Sequence, residues 1–197
     1  EHLKYLLESI VKTTHDISSI EMIVGIDKDD PSLLLSLSIL DGYPFVSYLV
    51  TDRPTNLHVA MRTLLGIAQG AYIFILNDDV LFLTDGWDVS AGALLDAYVD
   101  VHPDGIVYGR THDLSVDKEK DGLYSAFPII SKTACNVLNF VMPIEFAGLG
   151  GDVATYRIYE KTGRICDLTS IILQHTLHQT VEQVCNPDQT AYEMRQN

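Results

Sequence analysis

The chain predicts an α/β domain with a mostly parallel central sheet flanked by helices, and three observations carry that expectation. Strand-length apolar runs alternate with helical periodicity through about the first 80 residues, the signature of a doubly wound parallel sheet. Residues 72–76 are continuously apolar, as a strand buried on both faces requires. That run leads straight into Asn77, Asp78 and Asp79, which delivers acids to the carboxyl edge where open α/β sheets bind ligands.

The elements follow in order. Leu3, Leu6, Leu7, Ile10 and Val11 recur at helical spacing, so the chain opens in an amphipathic helix. Domains of this class begin with a strand, so the first strand of the sheet is expected to be missing from the chain. Residues 21–26 read as a strand ending at Asp27, Lys28, Asp29 and Asp30. Asp30-Pro31 is a helix start, an N-cap acid followed by proline at the first helical position, and residues 33–40 continue it. Residues 45–50 form a third apolar run, and 56–69 suit a helix with Leu57, Ala60, Met61, Leu64 and Leu65 on one face.

Beyond the 72–76 strand, residues 87–101 read as a helix and 105–108 as a strand. Residues 116–122 read as a charged, solvated loop, and 124–130 as a further strand. Ser131 caps a helix over 133–141. Gly148, Gly150 and Gly151 make the 143–151 stretch a flexible loop. Asp152 then opens a helix running to residue 161, with Gly163 closing it. Residues 165–168 and 171–173 read as short strands, followed by His175 and His178. With no repeat or interdomain linker, residues 1–197 read as one domain.

Composition narrows the function. Apolar residues make up 47% and charged residues 20%, an ordinary globular balance that argues against disorder. A formal charge of −14 argues against a nucleic-acid backbone or an anionic membrane as partner. It also makes an anionic substrate awkward unless a metal supplies positive charge locally. Cys135, Cys166 and Cys185 lack metal-ligand spacing and read as buried free thiols in a reducing compartment. No run approaches the ~18 apolar residues of a membrane span, and no signal peptide is visible, so the expected location is cytoplasmic.

Asp78 and Asp79 repel each other, and each resists burial unless a cation or hydrogen-bond donors balance it. Hard oxygen ligands suit Mg²⁺ or Mn²⁺, which proteins hold through one or two carboxylates plus substrate phosphates. A solvated turn after a strand is the bland alternative, and it weighs equally on this motif alone. Asp152 by itself reads better as a plain helix-capping acid. Trp87 and Tyr124 could stack a ligand, although core packing is the better reading of both.

The segment from Ala68 through Gly70, Tyr72, Phe74 and Leu76 to Asp79, taken with Gly148 to Asp152 and the later Gly163, resembles the family 2-like nucleotide-sugar glycosyltransferases of the GT-A fold. In that family a strand with this pattern delivers the metal-binding acids, and a glycine-rich motif starts a helix with the acceptor-side acid. The opening residues 1–10 are similar to the family's first helix, so the resemblance covers nearly the whole chain. Asn77 stands where the family has its first metal-motif acid, and Gly151 where it has a glutamate. Arg62 and Arg157 each sit one residue from the family's arginines.

The resemblance implies an inverting, metal-dependent glycosyltransferase of hexosyltransferase type. Its donor would be a nucleotide sugar of the UDP-sugar kind, and its acceptor a hydroxyl of a glycan or another molecule. Residues up to about 80 would form the nucleotide-binding half and residues 81–197 the acceptor-side half. Asp79 and His175 would ligate Mn²⁺ or Mg²⁺, with His178 a weaker rival to His175. Asp78 would contact the ribose or support the metal ligand, Asp27 would read the nucleobase with Asp29 in reserve, and Arg62 would contact the diphosphate. Asp152 would be the base. Two alternatives are a nucleotidyltransferase, which also sets paired acids and metal on such a sheet, and a non-catalytic nucleotide- or sugar-binding module.

Overall fold

The structure is a computed structural model and describes residues 2–115, 124–146 and 150–176. Helix α1 (His2–Thr13) buries Leu6, Leu7 and Ile10 along one stripe, as its spacing predicts. A short 3₁₀ turn leads into strand β1 (Met22–Asp27), and helix α2 (Leu33–Leu40) crosses over to strand β2 (Val46–Thr51). The two strands pair in parallel from Met22 opposite Val46 to Asp27 opposite Thr51, so both deliver their polar ends to one edge. Ser32 rather than Asp30 holds the N-cap position of helix α2, and its side chain makes no capping hydrogen bond. The Asp30 carboxylate instead accepts from the Ser32 amide and hydroxyl, at 2.7 Å each, and closes the turn before the helix.

Helix α3 (Leu57–Leu65) is capped by Asn56 and stops at Gly66, four residues short of the expected end. Strands β3 (Tyr72–Phe74) and β4 (Val80–Phe82) bracket the acidic motif. Helix α4 (Trp87–Val101) has the expected bounds. Strand β5 (Tyr108–Asp113), strand β6 (Ile129–Ser131) and helix α5 (Lys132–Leu138) follow, with Ser131 accepting from the Ala134 amide as the expected cap. Helix α6 (Gly151–Thr162) ends at Gly163 in the left-handed region, φ 65°, and strand β7 (Ile165–His175) completes the fold. The two short strands expected at its place are one strand, although its pairing with β5 is interrupted across Thr169 and Ser170, where the register jumps from Arg110–Asp167 to His112–Ile172. The charged 116–122 loop, Gly148, His178 and Cys185 lie outside the described residues.

The class is the predicted one, α/β with helices on both faces, but the strand directions are mixed. Strands β3, β6, β5, β7 and β4 form a five-stranded sheet in that order. Its β5–β7 pair is parallel, while β3–β6, β5–β6 and β4–β7 are antiparallel. Parallel neighbours need a crossover, usually helical, and no described helix separates β5 from β6, which pair directly. Strands β1 and β3 do not pair with each other; both line one apolar cavity of about 1600 Å³, with no described strand between them.

The five-stranded sheet divides the core. Leu6, Ile10, Leu95, Val107, Ile129 and Leu168 pack on the α1 and α4 side. Tyr108, Ile130, Cys135, Tyr156 and Tyr159 pack on the α5 and α6 side. The neighbours Ile129 and Ile130 thus serve opposite faces, as the period-2 alternation of a strand dictates. Trp87 belongs to this core: its ring lies 4.8 Å from Phe82 and 5.5 Å from Phe74, and its indole N–H donates to Thr14. Tyr124 packs against the second cluster. Burial pushes the Cys135 thiol up to about 12, which keeps it inert. No helix among the described residues is long and apolar enough to cross a membrane.

Gly109 marks the tightest point of the sheet. A Cβ there would stand 2.4 Å from Leu168 Cδ1 and 3.2 Å from the Ile129 carbonyl oxygen, and Leu168 is fully buried. Gly109→Ala is therefore expected to destabilise by ~1–3 kcal/mol through overpacking. At ~2–4 °C per kcal/mol for a chain of this size, thermal melting should show a clear drop. An unchanged melting temperature would mean that Leu168 repacks freely.

Candidate active site

The cavity between β1 and β3 opens at the carboxyl edge, where it is lined by Asp27, Asp52, Arg53, Asn56, Asp78 and Asp79. Each acid arrives there for a local reason. Asp27 is the last residue of β1, and Asp78 and Asp79 sit in the turn that joins β3 to β4. Asp78 is exposed, whereas Asp79 is half-buried. Asp29 lies two residues beyond β1 and is exposed.

Asp79 and His175 meet directly. The imidazole Nε2 of His175 lies 3.0 Å and 3.1 Å from the two Asp79 carboxylate oxygens. They are 96 residues apart in sequence and join because β4 and β7 pair, with Val80 opposite His175. The Thr176 amide and hydroxyl both donate to the Asp79 carbonyl oxygen, at 2.8 and 3.1 Å, and hold the strand end against the turn. Asp113, buried at the end of β5, supports the same corner, accepting from Ser115 and from the His175 amide.

The donor set suits Mn²⁺ or Mg²⁺. One carboxylate and one imidazole stand about 3 Å apart, and a cation held between them would leave further positions for water and phosphate oxygens. Among the described residues no cluster of three or more His, Cys, Asp or Glu side chains forms a self-sufficient metal cage. A cation held here would therefore draw its remaining ligands from solvent and substrate.

Asp152 starts α6, and its carboxylate accepts from the Val153 amide at 2.8 Å. Helix α6 returns through the Gly163 turn into β7, so the helix start and the strand end lie toward the same edge. The first turn of α3 reaches across to this region. Asn56 Nδ2 donates to the Ile144 carbonyl at 3.2 Å, and buried His58 Nδ1 donates to the Pro143 carbonyl at 3.0 Å. The His58 ring lies against Gly151. Asn56 lines the cavity that Asp27, Asp78 and Asp79 line, so this contact chain links the Asp152 helix to the acidic crevice.

Arg53 is the functional candidate that sequence reading overlooks. It follows β2, and its guanidinium lies 3.4 Å from Asp27 and 3.2 Å from Asp29. The hydrogen bond and charge of Asp29 hold it protonated even more firmly than usual. Its position two residues past a strand end, at the same edge as Asp27, was the available signal. Arg62 is exposed on α3 and does not line the cavity, and Arg157 pairs with Glu160 on the surface of α6.

The mixed α/β fold is similar to those of solved glycosyltransferases. The mannosyltransferase PcManGT from Pyrobaculum calidifontis, in complex with GDP-Man and Mn²⁺, superposes with a TM-score of 0.70 at 14% identity, over 90% of this chain and 54% of that one. Residues 1–349 of TarS from S. aureus superpose with a TM-score of 0.66 at 13% identity, over 88% of this chain and 56% of that one. The same TarS fragment in complex with UDP gives 0.66 over 87% of this chain and 55% of that one. The chain thus spans about half the length of each, and the likeness is one of fold. No family model and no curated protein matches the sequence.

Proposed function

We propose that the chain is an inverting, metal-dependent glycosyltransferase of GT-A, family 2-like type that moves a sugar from a uridine diphosphate donor to an acceptor hydroxyl. The observation that carries this reading is the Asp79–His175 pair, set at the carboxyl edge of a glycosyltransferase-type fold. Asp79 and His175 would hold Mn²⁺ or Mg²⁺, which would supply positive charge against the departing diphosphate. Asp27 and Asp29 read the nucleobase and Asp78 the ribose. Arg53, rather than the outward Arg62, is the cation that the crevice offers to the donor. Asp152 takes the proton of the acceptor hydroxyl as that oxygen attacks the anomeric carbon from the side opposite the leaving group.

Residues 1–80 or so supply the donor half and the remainder the acceptor half. Buried free thiols at Cys135 and Cys166 support a reducing, cytoplasmic location.

Calorimetry with uridine diphosphate tests the metal bridge. At −14, the chain has little cationic surface to neutralise a diphosphate beside Asp78 and Asp79. Binding is expected in Mn²⁺ and largely lost in EDTA. Equal affinity in both would remove the metal from the reading, and a preference for guanosine over uridine diphosphate would change the donor.

A further inference from the structure

The place of residue 151 is already filled. A Cβ built on Gly151 would stand 2.4 Å from His58 Cε1 and 2.8 Å from its Nε2, closer than any side chain tolerates. Gly151 is helical rather than left-handed, so its glycine answers a demand for space and not for backbone freedom. The ring that takes the space is only 2% exposed and is anchored at Nδ1 by the Pro143 carbonyl. On the other side, the hydroxyl of buried Thr155 donates to the Gly151 carbonyl at 2.6 Å. The first turn of α6 is therefore seated on an imidazole contributed by α3.

We propose that His58 is a positioning residue for Asp152: its ring sets how far the first turn of α6, and with it the Asp152 carboxylate, stands from the crevice. The inference rests on the reading of Asp152 as the base. An imidazole suits this place because it is rigid, has a donor to hold Pro143, and presents a flat surface on which a glycine backbone packs closely. Asn56 reinforces the grip through Ile144, so the start of α3 fixes both flanks of the acceptor-side motif that the structure describes.

The test is a cycle of Gly151→Ala, His58→Ala and the double variant. It reads UDP release from UDP-glucose, UDP-galactose and UDP-N-acetylglucosamine beside the calorimetric affinity for UDP. In Gly151→Ala the new methyl pushes α6 off an anchored ring. Turnover should fall by up to ~10²-fold, the scale of a 1 Å misplacement, with UDP affinity unchanged. In the double variant the methyl enters the vacated ring space, so turnover should recover above that of Gly151→Ala, a non-additive result.

Wild-type turnover in Gly151→Ala would overturn the proposal. So would additive losses, or turnover and UDP affinity falling together. If His58→Ala does not fold, His58→Asn takes its place in the cycle, since its amide can still donate to the Pro143 carbonyl while vacating the outer ring space. Asp152→Asn separates the two layers. An inactive Asp152→Asn beside a fully active Gly151→Ala removes the role of His58 alone, whereas an active Asp152→Asn removes both.

Discussion

Asp152→Asn is expected to lower turnover by ~10²–10⁴-fold, the usual contribution of a general base, while the affinity for uridine diphosphate stays where it was. The split follows from where the residue acts. Asp152 lies in the first turn of α6, and among the described residues no contact joins it to Asp79 or His175, so on the proposed reading donor and metal should not sense the change. The fold should survive it. Among the described residues the side chain accepts from the Val153 amide, and an asparagine oxygen accepts the same bond. What is lost is a negative charge at a helix N-terminus, worth ~0.3–1 kcal/mol, and hence a few degrees at most in melting temperature. Turnover is read as UDP release from a panel of UDP-sugars. Where a glycoside forms, NMR of the new linkage should show the anomeric configuration opposite to the donor's. Full turnover in the variant would return Asp152 to helix capping, and a retained configuration would require a nucleophile in place of a base.

How much of this arrangement could be read in advance depended on whether a feature is local. Asp27 and Asp79 are legible because each follows an apolar run that ends abruptly; Asp27 closes β1, while β3 stops at Phe74 and leaves Asp79 in the turn before β4. Helix α4 and the caps at Ser131 and Gly163 have local signatures, and the structure agrees with them. Three-residue β4 carries no period of its own and exists because β7 pairs with it. Strand direction is likewise a property of pairing, so the mixed sheet is invisible in hydropathy. Arg53 looked like a loop residue until the β1–β2 register put it beside Asp27 and Asp29. His58 occupies an ordinary helical position. Only its contact with Gly151, 93 positions along the chain (151 − 58), gives either residue its meaning.

The second large effect is expected at Asp79. Asp79→Asn should abolish the Mn²⁺-dependent part of uridine diphosphate binding, a loss of more than ~10²-fold, because even residues that merely orient metal ligands cost 10–100-fold when changed. The asparagine keeps the shape and one acceptor oxygen, so the His175 imidazole retains a hydrogen-bond partner and the Thr176 bonds to the residue 79 backbone are untouched. What disappears is the charge, and with it the hard anionic ligand that a divalent cation requires. Asp78→Asn is the internal comparison. Asp78 is exposed at the cavity mouth and stands apart from His175, so its loss should weaken binding in Mn²⁺ by much less and leave the metal dependence in place. Titrations of both variants in Mn²⁺ and in EDTA decide the matter. Equal losses would mean that the two acids share the cation. A full-strength, Mn²⁺-dependent Asp79→Asn would mean that the Asp79–His175 pair is only a hydrogen bond tying β7 to the turn after β3.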